Sequence, residues 1–275
     1  MSARRLLVTG GSGYLGGEVV RLAAEAGWAA VGTSHRTPGP VPLDVRDPAA
    51  VTALVAEVRP ACLIHTAYVQ DGPDAWATNV EGSAHVATAA TGTGARLIHL
   101  STDLVFAGTA GRPYREDDSA EPVIEYGRSK AAAERAVLAA HPAATVVRTS
   151  LIYGGEALSG HERRILDVVD GRADLAFFTD ELRCPVRAGD LAQALLALAQ
   201  TPAPGPLHLA GADGVSRYEF ACLVAAANGR PSDHLRTTTS AEVAPHRPRD
   251  CRLDSSRAAR LLGGPLRGVR AVLRP

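Results

Sequence analysis

Lysine is almost absent from this sequence: of 29 basic residues, one, Lys130, is lysine and the others are arginine. A GC-rich coding bias would convert surface lysines to arginine without consequence. A lysine that resists it can also mark a place where arginine fails, because an ammonium is a compact charge whose pKa shifts on burial. Composition leaves both readings open. Net charge is absent too, with 29 basic residues against 29 acidic ones. Nothing in that balance suggests the basic face expected of a nucleic-acid partner, and any anion site must be local. No apolar run approaches the ~20 residues of a membrane helix. Met1 to Arg5 lead straight into Leu6-Leu7-Val8, too short an apolar stretch for a secretion signal. A cytoplasmic protein with no membrane partner is expected. Cys62, Cys184, Cys222 and Cys251 are scattered, with no C-x-x-C pair, so neither a metal site nor a disulfide framework is expected.

What is present is alternation. Strands are predicted at 5–9, 28–32, 61–66, 96–101 and 145–148, and helices at 18–26, 47–58, 74–90 and 126–140. The strands are continuous apolar runs, as expected when both faces of a sheet are buried. The pattern predicts an α/β protein with a Rossmann-type, doubly wound parallel sheet. Residues 1–150 form the dinucleotide-binding domain in this reading. Residues 151–275 form a smaller substrate-binding lobe, whose helix 189–199 packs back on the sheet.

Gly10, Gly13 and Gly16 stand between the first strand and the first helix. Glycines there permit a tight turn and close approach of a pyrophosphate, and the helix N-terminus supplies free N–H groups. Tyr14 and Leu15 complete the loop. Dinucleotide binding follows from this context rather than from the glycines alone. The second strand ends in Gly32-Thr33-Ser34-His35-Arg36 with no acidic residue. Ser34 and Arg36 therefore suit a ribose 2′-phosphate, which favours NADP(H) over NAD(H). A solvated role for Arg36 is the alternative. Asp44-Val45 suits adenine, although Asp44 could equally cap the next helix. Thr66-Ala67-Tyr68 ends the fourth strand, beside where the nicotinamide half would lie.

Tyr126 and Lys130 are four residues apart, on one face of a predicted helix. A cation one turn away favours the phenolate and makes tyrosine a usable acid-base group. The same ammonium can hold the nicotinamide ribose. Ser101-Thr102-Asp103 ends the preceding strand, where a hydroxyl could polarise a substrate carbonyl.

Several segments together carry a resemblance: Val8-Thr9-Gly10-Gly11-Ser12-Gly13-Tyr14-Leu15-Gly16, Ser101-Thr102-Asp103-Leu104-Val105-Phe106, Pro113-Tyr114-Arg115-Glu116, Tyr126-Gly127-Arg128-Ser129-Lys130, Arg148-Thr149-Ser150-Leu151-Ile152-Tyr153-Gly154, and Arg247-Pro248 with Leu253-Asp254. The chain resembles the extended short-chain dehydrogenase/reductases, and within them the dTDP-4-dehydrorhamnose reductase family. The resemblance implies NADPH-dependent reduction of a carbonyl, such as that of a 4-keto-6-deoxy sugar nucleotide. It implies a Thr102, Tyr126, Lys130 triad, with Asn79 helping to hold a proton relay. It further implies a substrate pocket near 148–154 and 181–186, drawing on Asp103, Leu104, Leu151, Arg183 and Pro185. A homodimer is one arrangement left open.

Departures fall on the substrate side. The family pattern has an aromatic at Leu104, often tryptophan at Leu151, and a sequence like D-Q-x-G-x-P-T where this chain reads Asp180-Glu181-Leu182-Arg183-Cys184-Pro185-Val186. Two other readings compete. One is a sugar-nucleotide epimerase or dehydratase with bound NAD, although the glutamate that follows Thr-Asp in related dehydratases is absent. The other is a non-catalytic NADP-binding regulatory subunit, against which the complete triad argues.

Overall fold

The computed structural model describes residues 4–36, 39 and 41–274. Seven strands are central: β1 (Arg4–Thr9), β2 (Trp28–Ser34), β3 (Val41–Pro42), β4 (Cys62–His65), β5 (Arg96–Thr102), β6 (Thr145–Thr149) and β7 (Gly205–His208). The longer helices are α1 (Tyr14–Ala23), α2 (Pro48–Val58), α3 (Gly82–Thr93), α4 (Glu125–Ala140), α5 (Gly160–Val169), α6 (Ala188–Leu198) and α7 (Arg217–Ala227).

The sheet order is β7-β6-β5-β4-β1-β2-β3. Parallel pairing joins β3 to β2, β2 to β1, β1 to β4 and β4 to β5. Register places Leu7 opposite Leu63 and Leu63 opposite Leu97. These three share one core cluster with Val51 and Val55 of α2, Val86 and Ala90 of α3, and Val137 of α4. Their neighbours Leu6, Val8, Ile64 and Ile98 point to the other face and are just as buried. Both faces are thus covered, which is why the strands read as unbroken apolar runs. The chain runs outward from β1 through β2 and β3, then returns to β4 on the other side of β1. The resulting reversal between β1 and β4 is where open α/β sheets take ligands, at the strand C-terminal ends.

Two local differences from the sequence reading bear on the site. The first helix begins at Tyr14, directly after the capping Gly13, rather than near residue 18. The helix predicted over 74–90 is a π-helical turn, Ala77–Glu81, running into α3. Such wide turns inside helices cluster at functional sites.

The chain forms two compact units. The first holds the described residues up to Thr102, Glu125–Arg148 and Ala192–Leu207, and the second holds Asp103–Ile124, Thr149–Leu191 and His208 onward. A single boundary at 150 misses the grouping of 103–124 with the second unit. The cause is long-range backbone pairing: Tyr114 N donates to Arg252 O (2.7 Å) and Asp254 N to Tyr114 O (2.7 Å). Most of α6 belongs to the first unit, where Arg96 of β5 donates to Ala199 O at 3.2 Å.

The core of the second unit joins Ile165, Val168 and Val169 of α5 to Phe220, Ala221 and Val224 of α7. Tyr153 meets Phe220 edge-on at 5.6 Å. Ser159 and Glu162 form a reciprocal capping box that starts α5, which satisfies N–H groups the first helical turn would leave open.

Candidate active site

The glycine loop follows β1 directly. Gly10 has φ +75°, and a Cβ there would lie 2.8 Å from Ala67 N. A Cβ on Gly16 would lie 2.2 Å from Gly10 O. Only glycine lets the loop, the end of β4 and the start of α1 approach this closely. Gly13 caps α1 in extended conformation with no side-chain hydrogen bond, at the kind of helix N-terminus that attracts anions. Tyr14 and Leu15 open the helix, and Leu15 is buried. Gly11, which sequence reasoning passed over, is equally constrained: a Cβ would lie 2.5 Å from Gly32 Cα. A fourth glycine in the stretch, directly after Gly10, was the available signal. Thr66 Oγ1 donates to Thr9 O at 2.8 Å, so Thr66 ties β4 to β1 beneath the loop. Ala67 lies opposite Gly10.

At the end of β2, Ser34 is buried and its carbonyl accepts from Leu43 N at 2.7 Å. Arg36 projects from the surface and pairs with Asp74 at 3.1 Å. Asp44 is held by Arg46, whose Nε lies 3.0 Å from both carboxylate oxygens and whose Nη2 lies 2.7 Å from Oδ2. That side-chain bonding lowers the Asp44 pKa to about 2. Asp47, not Asp44, caps α2, accepting from Ala49 N and Ala50 N. Val45 turns its side chain into the core. Arg46 is a further residue of this region that sequence reasoning did not single out.

Tyr126 and Lys130 both lie on α4. Tyr126 is half-buried, its ring 6.0 Å from that of Tyr68. Lys130 is buried and its Nζ donates to Leu100 O at 2.6 Å. Burial lowers its pKa to about 8, opposed by the Glu134 carboxylate. Glu134 itself is buried, clamped by Arg148 Nε (3.1 Å) and Nη2 (2.8 Å) and by the hydroxyl of Ser101. Consecutive β5 residues, Leu100 and Ser101, therefore hold α4 at two points one turn apart. Thr102 follows them at the end of β5, also buried. The spacing of Glu134, four residues beyond Lys130, was the signal that could have found it.

Asn79 is fully buried in the π-helical turn. Its Oδ1 accepts from Val69 N (2.9 Å), and its Nδ2 donates to Val69 O (2.8 Å) and to Ser129 Oγ (3.0 Å). Ser129 Oγ in turn donates to Tyr126 O at 2.8 Å. Asn79 thus fixes the loop after β4 and the first turn of α4 through one amide.

In the second unit, two residues expected to touch substrate, Asp103 and Arg183, also brace the protein internally. Asp103 accepts from Ser150 Oγ at 2.7 Å and lies 3.8 Å from Arg183 Nε. Arg183 is buried, donating to Arg249 O (2.9 Å) and Pro248 O (2.9 Å). A guanidinium buried against carbonyls and carboxylates keeps those partners because freeing them would strand a buried charge. Leu151 packs on the second unit's core, Pro185 is buried, and Leu104 is half-buried.

A family model described as the RmlD substrate binding domain matches residues 4–274. Methionine adenosyltransferase 2 subunit beta of Xenopus laevis is 36% identical over 295 residues, spanning 99% of this chain and 88% of that protein. A dTDP-4-dehydrorhamnose reductase of Mycobacterium tuberculosis (strain ATCC 25618 / H37Rv) is 36% identical over 296 residues, spanning 98% and 91%. Among solved structures, the Bacillus anthracis dTDP-4-dehydrorhamnose reductase in complex with NADP superposes with a TM-score of 0.87 at 24% identity, covering 99% of this chain and 97% of the other. The Bordetella bronchiseptica enzyme WbmH in complex with NAD+ gives 0.83 at 23% identity, covering 98% and 96%. The last two likenesses concern the fold. The family match across the described chain, with relatives above one-third identity, makes this protein a member of the RmlD substrate binding domain family.

Proposed function

We propose that this protein is an NADPH-dependent reductase of a carbonyl substrate, with a 4-keto-6-deoxy sugar nucleotide as the substrate class. The observation that carries the reading is the chain's single lysine, buried one helical turn from Tyr126 and bonded to the strand that ends in Thr102. A charged side chain is placed this deep only for a reason, since burial opposes its charge. The reductase relatives support the substrate class.

The residues present fit a dinucleotide. The cradle at Gly10 and Gly16 would be filled by any Cβ, and the α1 N-terminus has no side-chain cap. Gly10 to Gly16 would hold the pyrophosphate, Arg36 with Ser34 the ribose 2′-phosphate, Asp44 and Val45 the adenine, and Lys130 the nicotinamide ribose. When bound, NADPH supplies the hydride equivalent. Tyr126 donates its phenolic proton to the substrate oxygen, and Thr102 donates a hydrogen bond to the same oxygen. The Lys130 ammonium favours the phenolate that Tyr126 becomes. Asn79 and Ser129 keep the first turn of α4 in place while this happens. On the substrate side the reading keeps Asp103, Leu104, Leu151, Arg183 and Pro185.

The test is NADPH oxidation followed by absorbance over a panel of nucleotide-linked keto sugars. Wild-type turnover that falls at least about 100-fold in Tyr126→Phe, the scale of one general acid, supports the reading. The methionine adenosyltransferase subunits among the relatives favour a second reading, a non-catalytic subunit that binds NADP and a protein partner. Tight NADP binding with no turnover on any carbonyl of the panel would select it.

A further inference from the structure

Asp74 stands out beside the expected 2′-phosphate position. One of its carboxylate oxygens lies 3.1 Å from Arg36 Nη2, and the other lies 2.9 Å from Arg46 Nη1. It bridges two guanidinium groups as a phosphate monoester would. The far edge of Arg46 is bound by Asp44, which also lies 3.9 Å from His35. Two arginines and two aspartates therefore form a row of alternating sign, Arg36–Asp74–Arg46–Asp44, whose formal charges cancel. This row begins at Arg36, beside the expected 2′-phosphate position. Ser12 N of the glycine loop donates to Thr33 O at 3.2 Å, and Arg36 follows three residues later. All five side chains belong to the first unit.

We propose that Asp74 is a specificity-determining residue that occupies Arg36 in place of the cofactor's 2′-phosphate, and so sets how strongly the protein prefers NADPH to NADH. The proposal rests on the NADPH reading above. An unpaired Arg36 would offer its full charge to the phosphate. With Asp74 in place, the incoming dianion must displace a carboxylate of like charge before it gains the same contacts, so part of the gain is cancelled. NADH has no group to make that exchange and is indifferent to it. Asp74 itself is about half exposed and lies before the π-helical turn, so it can swing away from Arg36 without disturbing the core.

The experiment compares dissociation constants for NADPH and NADH, by fluorescence titration of the full chain at low salt. Asp74→Asn and Asp74→Ser are each expected to raise the preference for NADPH about three- to tenfold, the range of one partly screened ion pair. Arg36→Ala is expected to remove that gain when added to either variant, and to do less in the wild type. The gain should shrink as ionic strength rises. An unchanged NADPH-to-NADH ratio in both Asp74 variants, or a gain that survives loss of Arg36, would overturn the proposal. Wild-type protein that binds neither dinucleotide would overturn the reductase reading, and the proposal with it.

Discussion

His65 and His99 face each other across β4 and β5, with ring centroids 5.3 Å apart, yet their bonding differs. His65 Nδ1 is 2.6 Å from Thr9 Oγ1, and its Nε2 is 3.0 Å from Ser83 Oγ. Both ring nitrogens of His99 are buried with no hydrogen-bond partner. Burial, reinforced by the Lys130 charge, pulls the His65 pKa from 6.5 to about 3, and lowers that of His99 well below its ordinary value. Both are therefore neutral in the folded protein near pH 7. The unfolded chain takes up protons first as pH falls, so stability present above pH 6.5 is lost between there and about 3. Replacing His99 by leucine removes an unpartnered polar group of similar size, which is neutral or stabilising. His99→Leu is expected to keep its urea midpoint at pH 7.5 and to lose less stability than the wild type at pH 5. Equal losses at pH 5 would show that His99 adds nothing to acid sensitivity. Lys130 behaves in the opposite range. Its ammonium, with a pKa near 8, is lost as pH rises through that value. Turnover should therefore decline above about pH 8 in a pH–rate profile, and a flat profile to pH 9.5 would contradict a role for the charge.

At the scale of elements, the glycine loop makes the sharpest contrast. Gly16 and Gly17 are adjacent in α1, but a Cβ on Gly16 would lie 2.2 Å from Gly10 O, while one on Gly17 has its nearest neighbour at 3.7 Å. Gly16→Ala is expected to cost about 1–3 kcal/mol as overpacking and to weaken dinucleotide binding. Gly17→Ala is expected to gain about 0.5–1 kcal/mol from helix propensity. Thermal melts and dinucleotide titration of the two variants check both, and equal behaviour would refute the close approach. The same loop explains what was legible in the sequence. Glycine spacing, strand runs and the Tyr126–Lys130 pair are local patterns, and they carried the Rossmann-type fold and its cofactor end. The internal partners of Arg183, 248–249 and Asp103, were not legible because they lie far away in sequence. The role of Glu134 was only half visible: its spacing from Lys130 is local, but Ser101 and Arg148 meet it across β5 and β6. Asp44 was ambiguous until Asp47 was found to cap α2.

At the scale of the whole molecule, two kinds of relative match this chain at the same identity, a reductase and a subunit of a different enzyme. Fold alone therefore does not choose between them, and the site must. The dinucleotide's contribution can be measured first. NADPH at 100 times its dissociation constant is expected to stabilise the protein by about 2.7 kcal/mol, raising the thermal midpoint by a few degrees. No shift at any concentration would mean that the first unit does not bind the cofactor.

The first unit is assembled from three separate stretches of chain, the last of which brings β7 to the edge of the sheet beside β6. A ribosome delivers these stretches in order, and the second unit's segments emerge between them. Until residue 208 is out, β6 has an open edge and the sheet is one strand short. Unprotected edges of that kind invite pairing with other chains. Cutting the gene at residue 150 to express a cofactor domain would therefore leave that edge permanently open. It would also remove all of α6 and, just after it, the Ala199 carbonyl that Arg96 holds.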